Sequence, residues 1–454
     1  MKKIITSILL ITTVNLFSQT DSIQKYQRSS LTMILLTGTN YQEDTSKIDK
    51  DEVKIDNSPQ AIRGLWNSYP FPDMYDKHSI FADTINVKSN LSTKSIFDAK
   101  RSKNQKKDAE ATQSKIAQEL ENKKIAHQVV RRWFSSEDGS KFWDMGTIQK
   151  RGFYNATELE ADIAKQDIRG MAKLADAGES LINNSFVTVT EILLYANKPI
   201  AILYNKLAEE FIKQANQLQS KGGDATTQLA NSTAALTYSG VASGLAITAA
   251  AIKDGYTVVS KTYLYKLKWN NDIAGEFYKN WGNNDAFEKM NFELDYIGYQ
   301  LNETILNRGV FSAKANRKPD VVVKQAVVRN IDETFVLLQQ ENEVFKPSVP
   351  VLEVKPISAQ IGMKEGLQGG EKFNVLQKIQ NLETGKTSYK KVGFVTVDKN
   401  YVWDNRYNAG EGPEHINYDA NGKPIMVTQF KGGKNVVPGM LLKQAEAKKK
   451  KKKK

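Results

Sequence analysis

Carboxylates are the residues that give this sequence its widest scope for chemistry. Two carboxyl groups about 5–10 Å apart are enough to cleave a glycosidic bond by acid and base catalysis. The chain has 51 acidic residues, and their spacing singles out no pair. Asp138, Asp144, Glu179 and Glu191 fit turns, helix caps and strand edges equally well. A glycan-active hydrolase therefore stays an alternative, and no catalytic residue is assigned.

Other catalytic and cofactor sites lack their sequence signatures. His78, His127 and His415 lie far apart, and none has a second histidine three or four residues away, as a zinc-binding helix would. The chain has no cysteine, no Gly-x-Ser-x-Gly elbow, no phosphate-binding loop and no Gly-x-Gly-x-x-Gly motif. Asp419 and Asn421 form only part of a calcium loop and fit a turn better. We expect no metal and no cofactor.

Two aromatic-rich segments are candidates for binding. The first packs aromatics between prolines over residues 66–73 and favours an extended, partly buried connection or an aromatic ligand platform. The second is a short polar run near the C-terminus, which could bind a cation or a partner, although turn residues explain it as well. We take this second run as the candidate partner-binding site: Trp403, Asp404, Asn405, Arg406 and Tyr407.

The positive charge is concentrated at the C-terminus. The formal net charge is +13, and a terminal run of seven lysines together with Lys2 and Lys3 leaves about +4 for the rest of the chain. Each lysine close to an anionic membrane adds on the order of 1 kcal/mol of attraction at low salt. A disordered tail at 444–454 is therefore expected to touch lipopolysaccharide, cell wall or another anionic surface, with no specific nucleic acid as partner. Its residues are Lys448, Lys449, Lys450, Lys451, Lys452, Lys453 and Lys454.

The N-terminus predicts export. Lys2 and Lys3 precede an apolar run from Ile4 to Phe17 and the small residue Ser18, which is the pattern of a signal peptide over 1–18. The apolar run is too short to span a hydrocarbon core of roughly 30 Å. With no cysteine after it, lipid attachment has no acceptor. We expect an exported protein of the periplasm or one associated with the outer membrane.

The pattern of apolar residues predicts an α+β protein. Strands expected at 185–192 and 256–269 alternate with long helices at about 156–182, 199–219 and 320–341, which indicates a layered α/β domain over 25–343. Pro347 and Pro350 mark a linker. Short strands and turn signals beyond it predict a small all-β, SH3-like barrel over 348–443.

The segment from Ala225 to Ile252 carries no charge and is rich in small residues. Its Gly240 and Gly244 form a small-xxx-small pattern that lets two helices approach closely. Gln228, Asn231 and several threonines lower its hydropathy, so a short-side-chain helix on a sheet fits as well. A homo-oligomer or a membrane-associated assembly through residues 225–252 is accordingly an alternative function.

Several short motifs are spread over most of the chain after the signal. They are Arg28-Ser29-Ser30-Leu31, Arg151-Gly152-Phe153-Tyr154-Asn155-Ala156, Ser185-Phe186-Val187, Ile361-Gly362-Met363-Lys364-Glu365-Gly366, Glu371-Lys372-Phe373-Asn374-Val375-Leu376, Gly385-Lys386-Thr387-Ser388-Tyr389-Lys390, Val392-Gly393, Trp403-Asp404-Asn405-Arg406-Tyr407 and Pro438-Gly439-Met440-Leu441. Together these motifs resemble an uncharacterised family of exported proteins from the Bacteroidota. The resemblance implies no specific function.

A fainter similarity, carried by Gly178 and Phe186-Val187-Thr188-Val189 before a terminal small barrel, is to periplasmic lipoproteins of the curli secretion channel and of flagellar basal-body assembly. In those families the α/β domain is an assembly platform without catalysis. This chain lacks their lipidation cysteine. The sequence thus favours a non-catalytic envelope protein that binds other envelope components.

Overall fold

The computed structural model describes residues 29–38, 56–89, 101–148, 150, 181–252, 255–307, 319–380, 387–407, 409, 418–419 and 421–445. Over these residues the fold is mixed α+β and contains two β-sheets. The signal peptide, the lysine run and the helix predicted at about 156–182, apart from its last two residues, lie outside the described residues.

The first sheet has the strand order β2-β1-β4-β5-β6, and β3 pairs with β1 beside β2. β1 is parallel to its three neighbours, whereas β4, β5 and β6 are antiparallel to one another. The pairing of the two predicted strands is confirmed as β4 with β5. The strands are β1 (Ser30–Leu36), β2 (Asp76–Lys77), β3 (Thr84–Ile85), β4 (Ser185–Ala196), β5 (Gly255–Leu267) and β6 (Leu294–Asn307).

β4 is buried on both faces, although its alternation of apolar and polar residues predicts a half-buried strand. Its Phe186 belongs to one hydrophobic cluster and its Val187 and Val189 to another, so each face packs against its own core. The buried Thr190 that follows pairs its hydroxyl across the strands with Thr262 Oγ1 at 3.0 Å.

Side-chain caps begin several of the helices. Ser58 accepts a hydrogen bond from the Ala61 N–H, and Asn270 and Asn283 do the same for the helices that follow them. Left-handed backbone at Lys124 ends one helix and starts the next. The helices are α1 (Pro59–Asn67), α2 (Arg101–Asn122), α3 (Ile125–Trp133), α4 (Lys198–Gln219), α5 (Ala225–Ile252), α6 (Asn271–Lys279), α7 (Asn284–Lys289) and α8 (Pro319–Glu341).

The second sheet is antiparallel throughout and curls into a half-barrel, with the order β7-β13-β10-β11-β12-β9-β8. This confirms an all-β C-terminal region. The segment Tyr401–Trp403 is a loop with a bridge from Trp403 to Gly362. The strands are β7 (Ser348–Pro350), β8 (Glu353–Val354), β9 (Ile357–Ala359), β10 (Lys372–Gln380), β11 (Thr387–Val397), β12 (Thr428–Gly432) and β13 (Leu441–Gln444).

One hydrophobic core connects the two sheets. It contains Phe186 of β4, Phe335 of α8 and Phe373 of β10. Phe345 is buried before β7 and stacks on Tyr75, with ring centroids 4.8 Å apart. The segment predicted as a linker from its prolines therefore forms strand β7, held by buried neighbours.

Helices α4 and α5 form an antiparallel hairpin between β4 and β5, because only a short connection joins them. Among the described helices, none is both long enough and apolar enough to cross a membrane.

Candidate functional site

The backbone of Trp403 is held from two sides. Its N–H donates to Oγ1 of the fully buried Thr428, 3.0 Å away on β12. Its carbonyl oxygen accepts a hydrogen bond from the Met363 N–H at 2.9 Å. Gly362 lies so close that an added Cβ would be 2.3 Å from this carbonyl oxygen. The loop that carries the predicted site is thus fastened to the short 3-10 turn at Met363–Glu365.

Asn405 and Glu365 stabilise that turn together. The Asn405 side chain accepts from the Lys364 N–H at 2.8 Å and donates to Glu365 Oε2 at 2.9 Å. The same Oε2 accepts from the Gly362 N–H at 2.8 Å. Burial raises the pKa of Glu365, and these hydrogen bonds offset part of that effect. Both side chains therefore have a structural role.

Asp404 and Arg406 form a bidentate ion pair. Arg406 Nε and one terminal nitrogen lie 2.9 and 2.7 Å from the two carboxylate oxygens of Asp404. The Asp404 side chain is 1% exposed and that of Arg406 32%. Burial raises the pKa of Asp404, but the hydrogen bonds and charge of Arg406 outweigh it, so the pKa lies below its ordinary value. The carboxylate stays ionised near neutral pH.

Tyr407 faces helix α8. Its carbonyl oxygen accepts from Arg329 at 3.3 Å, and the Lys324 ammonium lies 5.9 Å from the centre of its ring. Unlike the four residues before it, Tyr407 is not part of the cleft described next. The structure thus places four of the five predicted residues at one surface feature.

A cleft of about 740 Å³ lies beside Trp403, Asp404, Asn405 and Arg406. Segment 73–74, strand β7 and residues 424–426 supply much of the rest of its lining. Met426 is 62% exposed. The volume lies in the usual range of small-molecule pockets, about 300–1,000 Å³. The apolar lining consists of Met74, Val349, Pro350, Leu352, Trp403, Ala409, Pro424, Ile425 and Met426.

The sequence did not indicate the apolar part of this lining. Pro350, Pro424 and Met426 belong to no recognisable binding motif. They lie near Trp403 only because the second sheet curls. The aromatic segment 66–73 lies elsewhere for the most part. Trp66, Tyr69 and Phe71 border a separate hollow of about 410 Å³ next to β1 and β2.

Two carboxyl groups with raised pKa values approach a smaller hollow. The Tyr69 hydroxyl donates to Asp332 Oδ1 at 2.8 Å, and burial raises the pKa of Asp332 to about 7. Glu365 borders the same hollow, whose volume is about 20 Å³. That is room for about one water molecule and too little for a sugar ring. This hollow therefore gives no support to glycan cleavage. Glu365 also lines the larger cleft, where its carboxylate is held by Asn405 and by the Gly362 N–H.

Two histidines are used in packing. His78 is buried and contacts the Val129 carbonyl oxygen through Nε2 at 2.8 Å. His127 Nε2 lies 2.8 Å from the Met290 carbonyl oxygen, and burial lowers its pKa. Within the described ranges, no group of three or more His, Cys, Asp or Glu side chains is arranged to hold a metal ion. His415 and the seven terminal lysines lie outside these ranges.

Comparison with protein-family models finds no match, and comparison with curated proteins finds no significantly similar sequence. The function therefore has to be argued from the cleft and the residues around it.

Proposed function

We propose that the protein is a non-catalytic binding and assembly protein of the cell envelope, periplasmic or associated with the outer membrane. In this proposal the cleft beside Trp403 binds an apolar segment of a partner envelope protein. Residues 25–343 act as a layered α/β unit and residues 348–443 as a small SH3-like barrel. The sequence pattern of a signal peptide and the resemblance to exported proteins support the location.

The observation that carries the proposal is that the buried carboxylates at the cleft are already paired, whereas some apolar side chains there are exposed. Asp404 is neutralised by Arg406, and Glu365 is held by Asn405 and a backbone N–H. A carboxylate with a lowered pKa is a poor proton donor near neutral pH, which argues against Asp404 as a general acid. Among the apolar side chains of the lining, Met426 and Pro424 are exposed and Trp403 is half-buried, which leaves apolar surface that a partner would cover.

The lining also indicates the chemistry of the partner. The exposed Met426 can adapt its shape to different apolar side chains, and the half-buried Trp403 offers a rigid aromatic surface. Asp73 lines the cleft with a side chain that is 90% exposed, 3.8 Å from the Lys364 ammonium. A segment with apolar residues next to a lysine or arginine fits this combination best.

The test is binding of a defined peptide series to the purified protein, measured by calorimetry. Peptides of about twelve residues would contain leucine, methionine or phenylalanine, with and without a neighbouring lysine. We expect the apolar peptides with lysine to bind, and Met426→Asp to weaken that binding at least tenfold. Phe394→Asp is the matched control, because Phe394 is 56% exposed on β11 and does not line the cleft.

Co-purification from native envelopes provides the second arm. Wild-type protein and the Phe394→Asp variant are expected to retain the same partner, and Met426→Asp to lose it. A protein that stays monomeric, captures no partner and has no affinity for anionic envelope surfaces would contradict the proposal.

A further inference from the structure

The α4–α5 hairpin has an inner seam of alanines. Ala201, Ala208 and Ala215 are buried on α4 at intervals of seven residues, as are Ala235, Ala242 and Ala249 on α5. A seven-residue repeat is the spacing of a coiled-coil seam. Larger residues alternate with these alanines, and Phe211 stacks on Tyr238 at 5.8 Å. The inner faces of the two helices therefore pack against each other, and near the sheet Ala201 and Ala249 also join a cluster with Leu193 of β4.

The outer faces of the two helices differ in chemistry. On α4 the outer face is charged and exposed, with Lys206, Glu209, Glu210 and Lys213. On α5 no residue is charged over 28 positions, although most of the helix is exposed. Water-exposed helix faces normally carry charge. The same hairpin thus has a charged outer face on α4 and an uncharged one on α5, where serines and threonines lie beside exposed apolar residues.

The outer face of α5 presents a row of large and small residues. Leu229, Leu236 and Ile247 are 70%, 71% and 71% exposed. At 3.6 residues per turn, these three and Gly240 lie within about 40° of one line along the helix. An added Cβ at Gly240 or at the neighbouring Gly244 would meet no atom within 4 Å. We call this row, Leu229–Leu236–Gly240–Ile247, the α5 stripe.

The α5 stripe is complementary to itself in the antiparallel direction. A twofold axis at the level of Tyr238 brings Leu236 of one copy opposite Gly240 of the other, and Leu229 opposite Ile247. Each large side chain at the centre then meets a gap, and the contact is the same for both copies, as twofold symmetry requires. Because α5 has no charges, the pairing brings no like charges together.

From this geometry we infer that α5 is a homodimer interface, in which two copies pack their α5 stripes antiparallel about a twofold axis. A helix of 28 residues is about 42 Å long and about 10–12 Å wide, which gives a footprint of roughly 400–500 Å² per copy. Stable interfaces bury about 800 Å² per partner. The dimer is therefore expected to be weak, with dissociation in the micromolar range.

Sedimentation velocity of the purified protein from about 2 to 200 µM tests the interface. Wild type is expected to shift from monomer to dimer over this range. Leu236→Lys and Gly240→Glu are each expected to weaken dimerisation at least tenfold, with far-UV circular dichroism unchanged because both positions are exposed. Ile212→Lys is the control, since it adds the same charge at a 48% exposed position on α4.

Mixing the variants tests the direction of packing. In the antiparallel dimer, Lys at 236 of one copy faces Glu at 240 of the other, and the second such contact remains leucine against glycine. The mixture of Leu236→Lys with Gly240→Glu is therefore expected to restore dimerisation. A parallel arrangement would instead be rescued by mixing Leu236→Lys with Leu236→Glu, and that result would overturn the inferred geometry.

Single cysteines give an independent readout, because the chain has none of its own. Oxidation of a mixture of Leu229→Cys and Ile247→Cys is expected to yield the mixed cross-link in preference to either self-cross-link. The inference would be overturned if wild-type protein stayed monomeric at 200 µM and the mixture of the two cysteine variants gave no mixed cross-link. A second outcome would also overturn it: wild-type protein binds phosphatidylcholine vesicles, Leu236→Lys abolishes this binding, and no dimer forms. The α5 stripe would then face lipid.

Discussion

Asp332 is a buried carboxyl on α8 at the junction between the two sheets. Its side chain accepts a hydrogen bond from the Tyr69 hydroxyl. Burial raises the pKa of Asp332 to about 7, although the positive charge of Lys364 lowers it. In an unfolded chain the pKa of an aspartate is about 3.9. The folded protein therefore holds this proton more tightly than the unfolded chain does, between about pH 4 and pH 7.

The pH dependence of stability follows from that difference. As pH rises from about 4 to about 7, the free energy of unfolding should fall because a buried group has to ionise. Asp332→Asn removes this loss and keeps an acceptor for Tyr69. A pKa difference of about three units between the folded and unfolded states corresponds to at most about 4 kcal/mol. Between pH 4 and pH 8, the free energy of unfolding of the variant should therefore rise by up to that amount relative to wild type. Urea unfolding at both pH values measures it, and parallel pH profiles would contradict it.

Gly362 is a position where the structure leaves no room for a side chain. A methyl group there would lie 2.3 Å from the Trp403 carbonyl oxygen and 2.5 Å from Asn405 Oδ1. Gly362→Ala must therefore displace the loop that forms one side of the cleft, and we expect it to destabilise the protein by about 1–3 kcal/mol. Gly393→Ala on β11 is the control, since a Cβ there meets nothing within 4 Å. Equal thermal unfolding temperatures for the two variants would refute the close packing at Gly362.

At the scale of elements, the hairpin depends on small residues between α4 and α5. Ala242 is 2% exposed in the seam, whereas Ala246, about one turn further, is exposed. Ala242→Leu should force the helices apart and cost about 1–3 kcal/mol locally, while Ala246→Leu should be nearly neutral. Hydrogen exchange of the hairpin amides is the measurement, because the hairpin can open without global unfolding. Equal protection of the hairpin amides in the two variants would contradict close packing of α4 and α5 at Ala242.

Elements also show where periodicity is a sound guide. Helices α4 and α8 begin and end within one residue of their predicted bounds, since long apolar repeats specify a helix locally. Strand β6 was not predicted. Its sequence contains Gly298 and several polar residues, and its place in the sheet depends on pairing with β5 along its whole length.

At the scale of the whole molecule, more than half of the net positive charge lies in the lysine run at the C-terminus. Replacing Lys448–Lys454 by glutamine keeps the length and removes seven of the thirteen net positive charges. We expect affinity for vesicles of anionic lipid or lipopolysaccharide to fall at least tenfold at low salt, at about 1 kcal/mol per engaged lysine. The difference should vanish near 0.5 M salt, where screening is strong. Vesicle co-sedimentation measures it, with phosphatidylcholine vesicles as control, and unchanged binding would exclude the tail as a tether.

The candidate site was predicted in part. The composition of Trp403–Tyr407 marked it as a polar run between aromatics, and four of its residues border the cleft. The sequence did not indicate that Asn405 holds a turn about 40 residues away, or that Arg406 and Asp404 neutralise each other. The Asn405 contact depends on which loops the second sheet brings together. The ion pair joins residues only two apart, but its geometry depends on the conformation of the loop and on the burial of Asp404.

By itself, the sequence determined what depends on local order and composition: the mixed α+β content, the bounds of long helices, the uncharged segment and the concentration of charge at the C-terminus. Only the tertiary structure decided that β4 is buried on both faces, that the segment 348–350 is a strand and that one core joins the two sheets. It also decided that α5 presents an uncharged, exposed stripe. The reason is physical: burial and contact depend on residues far apart in the chain, whereas propensity and charge belong to each segment alone.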